Sequence, residues 1–124
     1  VIIEPKELHP SSLAFLALVE RVKEMHLKKS QDYGSSVDPL ANIRGGAEFV
    51  GISPWRACMV RVCDKIQRLR TYCQTEKLVY ESVEDTLLDL ACYCLLCIVL
   101  KQEQRDGLAT AADIGRPSQN GTSG

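Results

Sequence analysis

Apolar positions recur at helical spacing along most of this 124-residue chain, and no stretch alternates with the two-residue period of a strand. Residues 1–10 read as extended, broken by Pro5 and Pro10. Phe15, Leu16, Val19, Val22 and Met25 then predict a first helix over about 12–29, capped by Ser11 or Ser12 and stopped by Gly34 in "KKSQDYGSS". Residues 35–53, with Pro39, Gly45, Gly46 and Gly51, predict a long loop with at most a short helical turn at 47–49. Ser53 as cap and Pro54 at the first helical position open a second helix. Its stripe is Trp55, Cys58, Met59, Val62, Ile66, Leu69 and Cys73. After a charged connection at 74–80, a third helix is expected over 82–104. From 106 to 124 the composition turns to Gly, Ala, Ser and Pro, which predicts a disordered tail. The chain therefore predicts an all-α helical bundle of about four helices: a single domain over 1–105, completed by oligomerisation.

Composition narrows the function. Hydrophobic residues at 45%, charged residues at 25% and a net charge of −1 describe an ordinary globular domain. Nothing global steers the chain toward a nucleic-acid polymer or an acidic membrane. The apolar run 87–100 is interrupted by Asp89 and too short to span a bilayer. Six cysteines lie in helical, apolar stretches and not in a loop-rich disulfide framework, which points to a reducing cytoplasm. Cys94 and Cys97 form a CxxC, but there is no second pair, and His9 and His26 are isolated, so zinc is not expected.

The chemistry concentrates on the third helix. In "ESVEDTLLDLACY" each residue advances by about 100°, so Asp85 and Asp89 stack above Glu81 at steps of about 40°. Val83, Leu87, Leu90, Cys94 and Ile98 form the expected core stripe on the opposite side. Further along, Leu88, Cys92, Leu95, Leu96 and Val99 make the other side apolar as well, predicting a second half buried on both faces. Ser82 with Asp85 resembles a capping box, and Glu84 and Asp85 suit the helix dipole. Neither effect reaches Asp89, which needs a cation beside it. Stacked carboxylates suit Mg²⁺, or Mn²⁺, better than zinc. Opposite the second helix's stripe lie Arg61, Asp64, Lys65 and Arg68. They read either as a solvated face or as a polyphosphate clamp with one acid for a metal.

Together, "KKSQDYGSS" with "PLANI", "RVCDKIQRL" and "ESVEDTLLDLACY" resemble a phage-associated branch of the MazG-like all-α nucleoside triphosphate pyrophosphohydrolases, over about residues 28–100. The resemblance implies a bundle of four or five helices that forms homodimers or homotetramers. It also implies Mg²⁺-dependent cleavage of a nucleoside triphosphate between the α and β phosphates. That family holds its metal with ExxE and ExxD pairs. Here the first reads Arg61-x-x-Asp64, and Glu81 stands four residues before Asp85, not three. The resemblance thus carries Asp64, Glu81 and Asp85 over as metal ligands, with Asp89 as a helper. Glu84 becomes the candidate base for a metal-bound water. Lys65 and Arg68, with the neighbouring Arg61, become phosphate-binding, and Lys29, Asp32, Tyr33 and Asn42 become contacts to base, sugar or phosphate. Tyr33 fits packing under the loop equally well. Trp55 and Tyr93 fit either a base pocket or the core. The departures keep two alternatives open: a nucleotide-binding protein without hydrolysis, and a structural helical oligomer.

Overall fold

The computed structural model describes residues 4, 7–32, 38–77 and 82–107, with only the backbone at 31 and 32. Tyr33, Gly34, Glu81 and the tail from 108 onward lie outside the described residues. Among those described the chain is all-α: α1 (Pro10–Asp32), α2 (Ala41–Val50), α3 (Pro54–Thr75) and α4 (Val83–Arg105), with no strand. No helix among them is long and apolar enough to cross a membrane.

Two compact units divide the chain, Val1–Pro39 and Leu40–Gly124. In the first, α1 begins earlier than its sequence suggests. His9, not a serine, organises its start: the Ser11 N–H donates to His9 Nδ1 at 3.0 Å, and the Ser12 and Leu13 N–H groups donate to the His9 carbonyl. Pro10 opens the helix instead of breaking it, because a first-turn residue has no intrahelical acceptor for the N–H that proline lacks.

The second unit is built on α3 and α4, which pack along their lengths with α2 laid against α3. On α3, Trp55, Cys58, Val62, Lys65, Leu69 and Tyr72 are buried or half-buried at alternating steps of three and four residues. Val83, Thr86, Leu90, Tyr93, Cys97 and Leu100 do the same on α4. That spacing is the seam of a coiled-coil-like pair. The helices run antiparallel. The Cys58 thiol donates to the Tyr93 carbonyl (3.5 Å), the Cys97 thiol reaches the Trp55 carbonyl (4.0 Å), and Lys101 Nζ sits 4.7 Å from the centre of the Trp55 ring. Leu40 completes the core with Cys58, Val62, Cys97 and Leu100.

Three expectations are corrected here. Of the expected inward stripe of α4, Val83 and Leu90 do turn inward, but Leu87, Cys94 and Ile98 are exposed, and the buried arc is turned toward Asp89. Nor is the second half of α4 buried on both faces within this chain, since Leu95 and Val99 are also exposed. Between Leu87 and Leu100 α4 is apolar on nearly every side apart from Asp89, so that stretch has no amphipathic preference of its own, and the three-four repeat of α3 decides which side goes in. On α3 the same repeat brings Lys65 and Tyr72 inward and leaves Met59, Ile66 and Cys73 exposed.

The third correction is α2, a ten-residue helix where a loop was expected. Leu40, Ile43 and Ala47 lie at helical spacing and turn inward, Leu40 and Ala47 fully buried. Gly51 ends the helix in the left-handed conformation (φ 77°), its N–H donating to the Ala47 carbonyl at 2.8 Å. The inward side of α2 is also tied to the end of α4 by Arg44, whose guanidinium reaches both Glu103 oxygens at 2.9 and 3.3 Å. Gly45 sits mid-helix with open space where a Cβ would stand. Gly45→Ala is therefore expected to raise stability by about 0.5–1 kcal/mol, read as a higher urea midpoint at unchanged slope.

Candidate functional site

The two polar faces of α3 part company at adjacent residues. Ala57, Val60, Arg61 and Asp64, at helical steps of three, one and three, line a groove shared with α2, whereas Lys65 belongs to the seam with α4. The turn of about 100° between consecutive residues accounts for the split. The groove has a volume of about 290 Å³. Its polar side chains are Asn42 from α2 and Arg61 and Asp64 from α3. The rest of its lining is Ile43, Gly46 and Val50 of α2, then Ile52, Ala57 and Val60.

Lys65 answers the question posed by Asp89. Its Nζ lies 3.1 Å from Asp89 Oδ2, and the two side chains are only 13% and 28% exposed. The ammonium is the cation that Asp89 needs two turns into a largely apolar helix. At this burial the pair is interdependent, because removing either partner strands the other with little access to water.

At the start of α4, Ser82 is extended (φ −77°, ψ 162°), and its hydroxyl accepts the Asp85 N–H at 3.0 Å. Thr86, wholly buried, donates its hydroxyl to the Ser82 carbonyl. Asp85 and Glu84 stand exposed in this first turn, where the dipole favours negative charge. Ser53 occupies the equivalent position at α3, but its side chain makes no capping bond. Its buried Oγ has no hydrogen-bond partner among the described residues.

The structure thus brings Asn42, Arg61 and Asp64 together at one groove, and Lys65 together with Asp89. Arg68 lies one turn beyond Asp64 and is exposed. Lys29 and Asp32 lie in the last turn of α1, in the first compact unit, while Tyr33 and Glu81 fall outside the described residues. Among the described residues no three His, Cys, Asp or Glu side chains gather as a metal-holding set. Trp55 and Tyr93 pack against the core.

Cys58 is fully buried, and burial, then the adjoining Cys97 thiol, pushes its pKa up to about 12. A thiol held protonated in this way is a packing group, not a nucleophile. Cys97 is buried and Cys94 exposed, so the two ends of the CxxC diverge.

Sequence reasoning missed the apolar part of the groove together with α2. Leu40, Ile43, Ala47 and Val50 carried the signal, obscured by the adjacent glycines.

The family model described as nucleotide modification associated domain 1 matches residues 28–100. The chain belongs to that family. The span assigned to nucleotide modification associated domain 1 contains the end of α1, all of α2 and α3, and α4 as far as Leu100, so the groove and the Lys65–Asp89 pair both lie inside it. A comparison with curated proteins found no match, and neither did one with solved structures.

Proposed function

We propose that this chain is a nucleoside triphosphate pyrophosphohydrolase of the MazG-like kind, cleaving a nucleotide between its α and β phosphates. One observation carries the reading: Arg61 and Asp64, one turn apart on α3, face the same groove beside Asn42. A Mg²⁺–triphosphate needs a cationic group and a carboxylate side by side, the first to orient phosphate oxygens and the second to hold the ion. Membership in a family described by nucleotide modification supports the same substrate class.

Mg²⁺ demands oxygen donors, keeps several waters and is commonly bound through only one or two carboxylates, so the acids of α3 and α4 have the right chemistry without forming a closed protein cage. Asp64 is the carboxylate proposed to hold it at the groove; Asp85 and Asp89, with Glu81, are the further ligands that the resemblance proposes, although the described residues bring no three of these acids together. Bound there, the ion would neutralise phosphate charge and lower the pKa of a coordinated water. Arg61 and Arg68 orient the phosphates. Lys65 holds Asp89 in place, and Glu84 is the candidate acceptor for the water's proton. Asn42, in the groove, is assigned to the nucleotide. Exposed Met59, Ile66, Leu87 and Ile98 support a homodimer or homotetramer, since one chain leaves them in water. Six free thiols favour a reducing cytoplasm.

The test is to incubate the protein with each deoxynucleoside triphosphate and Mg²⁺. Pyrophosphate and monophosphate in equal amounts are expected from at least one of them. Failure to release pyrophosphate from any nucleotide removes the hydrolase reading. Arg61, standing where the related enzymes carry an acid, favours the second reading, binding without hydrolysis. That alternative predicts a nucleotide-dependent rise in melting temperature with no product.

A further inference from the structure

We infer that the α2–α3 groove seats the nucleobase and that Gly46 sets its width, a refinement that rests on the nucleotide reading above. At about 290 Å³ the groove lies at the lower end of small-molecule pockets, which run from roughly 300 to 1,000 Å³. That is room for one ring system, and Arg61 and Asp64, the charged side chains of the same lining, are left to face the phosphates.

The lining divides in the same sense. A nucleobase has apolar faces and hydrogen-bonding edges. Ile43, Val50, Ile52, Ala57 and Val60 offer apolar surface for the faces, and the Asn42 amide, both donor and acceptor, suits an edge. Val50, Ile52 and Val60 are 61%, 38% and 53% exposed. Three exposed apolar side chains converging on one concavity, not scattered singly over a surface, gain from a ligand that covers them.

Gly46 supplies the opening. It lies inside α2, where glycine weakens a helix, and a Cβ built on it would meet nothing within 4 Å. Neither packing among the described residues nor backbone conformation calls for glycine there. What its missing side chain leaves is groove. Gly45 is a control supplied by the fold: it is adjacent, equally open and no part of the lining.

The full chain and its Gly46→Leu and Gly45→Leu variants should be titrated in EDTA with each deoxynucleoside triphosphate and with inorganic tripolyphosphate, which carries the phosphates without a base. Circular dichroism establishes that both variants fold. Wild type is expected to bind at least one nucleotide about tenfold more tightly than tripolyphosphate, the scale of discrimination that a small apolar pocket reaches. Gly46→Leu should lose that margin and keep its hold on tripolyphosphate, while Gly45→Leu keeps both. A margin that survives Gly46→Leu, or a wild type that does not distinguish nucleotide from tripolyphosphate, overturns the base seat. The hydrolase reading fails separately: a base-dependent margin in a protein that releases no pyrophosphate retains the seat and removes the reaction.

Discussion

Asp64→Asn protein is expected to release pyrophosphate on the order of a hundredfold more slowly than wild type, with its melting temperature unchanged. The separation of the two effects is what makes this substitution informative. Asp64 is exposed on the groove side of α3, and a nearly isosteric surface change of this kind moves stability by no more than about 0.5 kcal/mol. The substitution removes a charge and leaves shape intact, so lost turnover reports on the metal and the phosphates. Asp89→Asn does not separate so cleanly, because Lys65, only 13% exposed, would lose its carboxylate and the fold would weaken with the site. Rates measured across a range of Mg²⁺ concentrations sharpen the result. A variant rescued at high Mg²⁺ has a weakened ion site, while a variant as fast as wild type at every concentration shows that Asp64 holds no metal needed for turnover.

Leu100→Ala is expected to cost about 2–5 kcal/mol and to lower the melting temperature by on the order of 10–20 °C. Leu100 is 3% exposed and packs in the cluster that joins α3 and α4 to Leu40 ahead of α2, so truncation leaves a cavity between elements that cannot all close on it. Leu87→Ala, half exposed, should cost less than about 1 kcal/mol in dilute protein. Thermal circular dichroism on both variants distinguishes the two possible faces of α4. The reverse order, Leu87 costing more than Leu100, would mean that the face with Leu87, Cys94 and Ile98 is the buried one.

That contrast marks where the sequence is legible. The starts of α3 and α4 could be read because Ser53-Pro54 and Ser82 are local signals that need no tertiary information. The all-α class followed from helical spacing alone. The rotation of α4 was hidden, because a helix with leucine, cysteine, isoleucine and valine nearly all round carries no single amphipathic direction. Only the three-four repeat of α3, set beside it, selects Thr86, Leu90, Tyr93, Cys97 and Leu100. Helix α2 was hidden for the opposite reason. Its two central glycines and Gly51 have poor intrinsic propensity, and burial of Leu40 and Ala47 against the rest of the unit overrides it. At the candidate site, the residue types were readable and their partners were not. Asp89 plainly needed a cation, but that Lys65 supplies it depends on the register between two helices. Likewise Asp64 and Lys65 are neighbours in the chain that face different helices.

The antiparallel seam also bears on how the chain reaches this structure. Its cross-helix bonds join residues 35 and 42 positions apart, through a single short connection after Thr75. The entropy lost in closing a loop grows only slowly with its length, so pairings at this separation are within reach of a chain of this size. The connection between α2 and α3 is shorter still, only residues 51–53, so α2 can dock onto α3 at little further cost in chain entropy.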